Sequence, residues 1–414
     1  MKRREWLQRS AALGTWAARP IALTSGAAAT ALLAACGGGG NGEQVSSDSG
    51  YRQTNLVANK ASYEPLILQP DLVDAWGIAI RPAGAGGHFW VTGMGKSFEY
   101  VGDVNGTPLH VDNLDVIDLP ASGENVGAAN GVVFNSGAHF VITQQHANGA
   151  ITAPAKFIFV SDNGVLSAWT ERLNQDGTYD RSGVADLIVD DGASGSAFFG
   201  VAIAPTFDKL FVVDFGVNPH PRIRVFGSDF SEEDVGARFA NPFSSASGFQ
   251  IGDLVPFNIQ TIRYRDTTSV FVAYVNTQED PDNPGRLLAA TESSGRGRGR
   301  LVEYSPAGQL IAVWDDRGAL NGPWGVAVAP ANFGTFSNQL LVSNFSDGTI
   351  VGFDTATKRA TEYMRDAAGN VLKIAGLWNI LFGNGVSLGD SNALYFAAGP
   401  ADETDGLFGS LRPL

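Results

Sequence analysis

A run of aromatic, glycine, apolar and small residues recurs six times along this chain, and that recurrence limits the fold more than any other feature. The clearest copy lies in Asn321 to Pro330, NGPWGVAVAP. Aligned on Trp324-Gly325, the other copies are Trp76-Gly77-Ile78-Ala79, Asn130-Gly131-Val132-Val133, Phe199-Gly200-Val201-Ala202, Phe257-Asn258-Ile259-Gln260 and Trp378-Asn379-Ile380-Leu381. From Gly77 to Asn379 is 302 residues (379 − 77) over five steps, about 60 per repeat. That is long for a propeller blade but within reach of blades with loop insertions. The run suits the innermost strand of a blade, where strands crowd around a channel and glycine lets neighbouring backbones approach.

Each run leads into a stretch with the grammar of a hairpin. In the fifth copy Leu340-Leu341-Val342-Ser343 passes through Phe345-Ser346-Asp347-Gly348 into Thr349-Ile350-Val351-Gly352-Phe353. Asp-Gly between two β-rich runs signals a turn, because glycine supplies the positive φ that such turns need. Phe157 to Trp169, with Asp162-Asn163-Gly164 at its centre, reads the same way, as does Leu210 to Phe226. The expected fold is therefore all-β, a six-bladed β-propeller. A ring of blades must pair its first and last segments or leave two sheet edges open. Tyr51 to Val57 alternates like a strand ahead of the first copy, so it is expected to join the last blade. Blade 2 is expected to carry an insertion at Gln145 to Ala155, and blade 4 a long loop from Thr277 to Arg300.

The 414 residues are 44% hydrophobic, with 51 Gly, 25 Phe and 8 Trp, a composition with ample core for one large repeat domain. A net charge of −14 argues against nucleic acid as a partner, since a phosphate backbone needs a positive surface. Cys36 is the single cysteine, which excludes an intramolecular disulfide and a cysteine metal cluster. Its setting accounts for it. Arg3 and Arg4 open a basic start followed by a modestly apolar stretch from Ile21 to Ala35, and the chain then reads Leu33-Ala34-Ala35-Cys36. These resemble a twin-arginine export signal and a bacterial lipobox, in which the cysteine becomes the lipidated first residue. The domain reading is then an export signal over 1–36, a Gly/Ser-rich tether over 37–50 and the propeller over 51–414. The expected location is the cell envelope, as a periplasmic or outer-membrane lipoprotein held to the membrane through Cys36.

Several stretches together resemble a family of bacterial exported propellers of uncharacterised function. They are Thr54 to Val57, Trp76 to Ala79, Pro256 to Gln260, Asn321 to Phe336, Gly376 to Trp378 with Phe382 to Gly385, and Asp405 to Leu411. The resemblance runs from about residue 54 to the C-terminus and brings no established catalytic residues with it.

Candidate chemistry is sparse. Gly93-Met94-Gly95-Lys96-Ser97 looks like the tail of a phosphate loop, but Trp90 stands where the first glycine belongs and the context is strand-turn-strand; it reads as a hairpin turn. The five histidines, His88, His110, His139, His146 and His220, show no paired ligand spacing, and no Gly-x-Ser-x-Gly elbow is present. Two acidic loops, one with Asp280 and Asp282 and one with Asp402 and Asp405, are candidate calcium ligands, with solvated loops as the plainer reading. Gly295 to Arg300, GRGRGR, is a candidate anion contact or a loop tip paired with nearby acids. If the aligned copies begin the inner strands, Trp76, Trp324, Trp378, Asn130, Asn258 and Asn379 gather near one mouth of the channel as candidate ligand-binding residues. Six-bladed lactonases and sugar-acid hydrolases resemble this arrangement and hold calcium on inward Asn, Asp and Glu, although the aligned positions here carry no acid. The plainer reading packs the aromatics between blades and lets the amides hydrogen-bond across the repeat.

Three functions stay open on the sequence. The first is a propeller that binds a protein partner or small ligand on a loop-rich face, with no cofactor required and calcium as the one to expect if any is held. The second is a calcium-dependent hydrolase or lactonase at the channel mouth. The third is a structural surface protein. Fold alone does not choose among them.

Overall fold

The protein is seen as a computed structural model that describes residues 50–216, 220–245, 247–279, 287–289 and 297–414. Arg3, Arg4, Cys36, Asp280, Asp282 and the Gly295-Arg296 pair lie outside the described residues.

Six antiparallel sheets succeed one another along the chain, each built outward from an inner strand. The inner strands of blades 1 to 6 are Ile78–Ala79, Ala129–Phe134, Phe198–Ile203, Leu254–Tyr264, Pro323–Val328 and Leu377–Phe382. Each packs beside the inner strand of the next blade, and Leu377–Phe382 returns to Ile78–Ala79, so the six close into a ring. This is a six-bladed β-propeller. Blade 5 shows the plan in its simplest form: Pro323–Val328, Leu340–Asn344, Ile350–Asp354 and Arg359–Tyr363, in sequence order. Its turn at Gly348 has φ of 70°, and the matching Gly164 in blade 2 has 77°, the left-handed backbone that glycine enters without strain. The Met94-Gly95 segment is likewise a tight turn, joining Phe89–Gly93 to Lys96–Tyr100.

The insertion in blade 2 is larger than its sequence suggests. It forms a hairpin, Val141–Gln144 with Ile151–Pro154, and a second hairpin, Glu171–Leu173 with Tyr179–Arg181, precedes the outer strand Asp186–Asp190. In blade 4 the strand Leu287–Ala289 pairs with the far end of Thr267–Glu279.

Inner strands share a local irregularity that explains their sequence. Pairing to the second strand shifts register between Phe198 and Val201, Pro256 and Asn258, Pro323 and Val326, and Leu377 and Ile380. In blade 1 Thr92 spans the same bulge: Trp76 N donates to Thr92 O at 2.8 Å and Thr92 N to Gly77 O at 2.9 Å. A bulge sets two residues opposite one and re-aims their side chains. Here the aromatic turns to the axis and the glycine lies against the next blade. A Cβ on Gly131 would come within 3.0 Å of Val201 N, and one on Gly325 within 2.7 Å of Ile380 N, so the glycine is what lets adjacent inner strands touch.

Between blades the faces are apolar. Trp90, Phe157, Phe159 and Trp169 fill the gap between blades 1 and 2, while Phe271, Trp314, Val342 and Phe353 do so between 4 and 5. Burial of such aromatics, at ~25 cal/mol per Å² of apolar surface, is the main force holding neighbouring blades together.

Closure takes the expected route. Tyr51–Ala58 pairs antiparallel with Leu407–Pro413 as the fourth strand of blade 6, and Ile67–Leu68 pairs parallel beyond it. The join is fastened by Asp405, 2% exposed, which takes a hydrogen bond from Tyr63 Oη at 2.7 Å, one from Asn59 Nδ2 at 3.4 Å and an ion pair from Lys60 at 2.6 Å. Burial raises the Asp405 carboxyl, but its bonds to Lys60, Tyr63 and Asn59 outweigh that and hold it below the usual range. A depressed carboxyl contributes stability above its unfolded value and loses that contribution as pH falls through the folded value. Asp405→Asn is therefore expected to cost about 1–3 kcal/mol at pH 7, with the difference from wild type shrinking toward pH 3 in urea titrations. Equal loss at both pH values would show that the charge is not what fastens the seam.

Candidate functional site

Five of the aligned aromatics meet on the axis rather than between blades. Trp76 stacks on Trp378 with ring centroids 3.7 Å apart, and Trp324 lies 5.2 Å from the first and 4.9 Å from the second. Phe257 meets Trp324 edge-on at 4.8 Å, and Phe199 sits 6.0 Å from Trp76. Trp378 is covered from the other side by Phe345 at 3.7 Å, and its Nε1 donates to Asp74 Oδ1 at 3.2 Å. Together these rings close the end of the channel where the inner strands begin.

Beyond the rings, toward the ends of the inner strands, lies a cavity of about 190 Å³ to which all six blades contribute. Its walls are mainly apolar, with Ile78, Val132, Val201 and Ile203 among them, and its polar side chains are Asn130, Asn258, Gln260, Thr261 and Asn379. Trp324 forms part of the lining as well, whereas Trp76 and Trp378 do not. Val133 and Phe134, both half-buried, also line it, and Val133 packs as well against the core between blades 2 and 3.

Each amide is tied to a neighbouring blade. Asn130 Nδ2 donates to Phe198 O at 3.3 Å, Asn258 Nδ2 to Trp324 O at 2.9 Å and Asn379 Nδ2 to Ile78 O at 3.4 Å, joining blades 2 to 3, 4 to 5 and 6 to 1. Hydroxyls make the remaining joins: Thr92 to Ala129 O at 2.6 Å, Thr261 to Ile203 O at 2.6 Å and Ser343 to Trp378 O at 2.6 Å. Every seam of the ring thus carries a side-chain bond to an inner-strand carbonyl, satisfying groups that the bulges release from regular pairing. Asn130 Oδ1, in contrast, is buried without a hydrogen-bond partner among the described residues.

Gln260 is a lining residue that the repeat alignment does not single out. Its Oε1 accepts from Val326 N at 2.7 Å and from Asn258 Nδ2 at 3.3 Å. A signal is nevertheless present: Gln260 stands two residues beyond the repeat's glycine position, where Ala79, Ala202 and Ala327 occupy other copies. A polar residue in a column of small apolar ones marks a break in the wall.

No residue lining the cavity is acidic, basic or a histidine, and no three His, Cys, Asp or Glu converge among the described residues. Asp402 is exposed on a left-handed turn with φ of 55°, and Asp405 is engaged in the closing seam, so the two acids of that loop face different surroundings. His88, 3% exposed, pairs with Asp112 at 2.7 Å. Burial lowers its pKa, only partly offset by the Asp112 carboxylate. Arg300 of the basic run turns back on Gly297 O, Gly299 O and Asp316.

No family model matches the sequence. Among curated proteins the chain is similar to uncharacterised proteins of Acanthamoeba polyphaga mimivirus. One is 27% identical over 362 residues, 86% of this chain and 78% of that protein, and a second is 25% identical over 347 residues, 83% and 80%. These relatives point to a viral family, which corrects the assignment to a bacterial exported family drawn from Thr54 to Leu411. The stretches behind that assignment, Trp76 to Ala79 and Asn321 to Phe336 among them, carry inner strands of the ring. Among solved structures, the soluble aldose sugar dehydrogenase of Escherichia coli in its apo-form is 13% identical with a TM-score of 0.45, covering 88% of this chain and all of that one. A luciferin-regenerating enzyme is 10% identical with a TM-score of 0.46, covering 83% and 92%. Likeness at this level carries no argument about chemistry.

Proposed function

We propose that this chain is an exported, lipid-anchored propeller that binds a small ligand in its axial channel. The observation that carries the reading is the cavity itself: closed at one end by aromatic rings, walled by all six blades, and furnished with amides in an otherwise apolar lining. Concave, mainly apolar sites with a few fixed polar groups are what small ligands select. For anchoring, the support is Arg3-Arg4 and the Leu33 to Cys36 run, which would place the propeller at the cell envelope on an acylated Cys36. Labelled palmitate incorporated by wild type and lost in Cys36→Ser tests that half of the proposal.

Binding is tested by thermal unfolding of the full-length chain against a library of small polar molecules, with calcium chloride and a chelator as separate arms. A ligand of the folded state adds about 2.7 kcal/mol of stability at a hundred times its Kd. Stabilisation by one or more molecules, absent in Val133→Trp, whose larger ring at a lining position would crowd the cavity, is the expected result; Val133→Phe serves if the larger ring does not fold. Hits that persist in the obstructed variant place binding elsewhere and sink the channel reading. Calcium-dependent stabilisation lost in that variant would replace the small molecule with a cation on the amide oxygens.

A further inference from the structure

We infer that the channel selects an uncharged molecule that offers a hydrogen-bond acceptor beside a donor, a carboxamide or a vicinal diol in chemical terms; this rests on the channel-binding reading above. The argument starts from which ends of the amides are already committed. Asn258 points Nδ2 at the carbonyl of Trp324, so Oδ1 is its other end, and that oxygen takes no hydrogen bond from the described residues. Gln260 is fixed the opposite way. Its Oε1 faces the backbone N–H of Val326, which leaves the Nε2 donor without a partner among the described residues. Reversing either amide would set donor against donor or acceptor against acceptor, so the assignments are forced.

Asn258 and Gln260 lie two residues apart on one strand, 3.3 Å apart at Nδ2 and Oε1, and both line the cavity. One wall therefore presents an acceptor and a donor side by side, each held by a blade 5 backbone group. Preorganised groups of this kind bind without paying for their own ordering.

Charge decides the class of ligand. A carboxylate or ammonium entering a cavity with no oppositely charged lining residue would give up water for nothing of equal strength. Arg81, a cation that touches the lining, sits over the Phe134 ring at 5.5 Å and is bound to Glu171. An apolar ligand would leave the amide ends unsatisfied. Size sets the other limit: about 190 Å³ is roughly six times the ~30 Å³ share of a water molecule, room for a compact molecule and not for a polymer segment.

The test uses four three-carbon probes of similar size on the full-length chain, read by ligand-observed NMR: propionamide, 1,2-propanediol, propionate and propylammonium. Binding of one or both neutral probes, with neither charged probe bound and all binding lost in Val133→Trp, is the expected result. Gln260→Glu then separates the two neutral sources. It keeps the acceptor for Val326 N and replaces the Nε2 donor, so propionamide should weaken about tenfold, while a diol can turn a hydroxyl to donate and is retained. Unliganded unfolding of that variant within a degree or two of wild type shows that the fold is kept. Charged probes binding as well as neutral ones would overturn the inference, and so would propionamide binding unmoved by Gln260→Glu. If no probe binds while other molecules are lost in the obstructed variant, the neutral-ligand inference fails and the channel reading stands. If nothing at all binds wild type, the channel reading itself fails.

Discussion

Trp76→Ala is expected to cost about 3–5 kcal/mol of unfolding free energy. The residue has no exposed surface, stacks on Trp378 and touches Trp324 and Phe199, so its removal leaves a hole where rings from five blades converge. Relaxation is hindered there because the strands that carry the rings are tied sideways to one another, blade 5 to 6 by Ser343 and blade 6 to 1 by Asn379. Trp76→Phe should recover more than half of the loss. Urea unfolding measures both. A cost below about 1 kcal/mol for the alanine variant would mean that the axial rings are not a packed unit. A loss undiminished in Trp76→Phe would mean that the indole's shape, not its burial, is what counts.

The second large effect concerns Glu99. Glu99 and Glu303 are both buried in the blades, and their surroundings are opposite. Glu303 receives Lys358 at 2.7 Å, Tyr264 at 2.6 Å, Ser269 at 2.8 Å and Trp314 at 3.0 Å; burial raises its carboxyl, but those bonds prevail and hold it below the ordinary range. Glu99 has no exposed surface, and neither of its carboxyl oxygens has a hydrogen-bond partner among the described residues. Burial pushes its carboxyl well above the ordinary range and Asp115 adds to this, against weaker pulls from Ser97, outside hydrogen-bonding geometry, and Arg181. The folded state therefore keeps a proton that the unfolded chain releases. Where the unfolded state binds fewer protons, stability falls as pH rises, here by about 1.4 kcal/mol per unit from the ordinary glutamate range upward until the folded carboxyl ionises. Glu99→Gln removes that titration and leaves the others in place. The variant should match wild type near pH 4 and exceed it increasingly as pH rises above the ordinary glutamate range. Parallel stability curves above that range would show that Glu99 is ionised or solvated in the folded protein.

Much of the ring was legible because each blade is made from contiguous chain, and contiguous chain repeats its pattern. Trp324-Gly325 and its five counterparts located every inner strand, and Asp347-Gly348 located a hairpin turn. Alternation in Tyr51 to Val57 was enough to assign the closing strand, since an open ring has two edges to satisfy. Less legible was the direction of the aligned side chains. A strand puts successive residues on opposite faces, and nothing in the pattern announces the bulge that sends Trp76, Trp324 and Trp378 to the axis while Trp90, Trp169 and Trp314 stay between blades. The candidate site was half legible for the same reason. Asn130, Asn258 and Asn379 stand out because they break the repeat, and Gln260 breaks it as plainly, two residues further along a strand whose wall-facing positions only the register reveals. Glu99 carries no sequence signal at all; its isolation depends on Trp90, its partner across the strand pair, and on the blade 2 aromatics that cover both.

The closing strand also sets an order of events. Blades 1 to 5 each draw their four strands from one stretch of chain, but blade 6 needs Tyr51–Ala58 and Leu407–Pro413 together, from opposite ends of the described sequence. Contacts that distant are entropically slow to form, so the last seam to zip is expected to be the one beside Asp405. Until it does, Asn379 has no firm hold on Ile78 and the channel lacks a settled wall. Binding competence would then arrive in a single step at the end of assembly, and a partly built ring would be silent rather than weakly active.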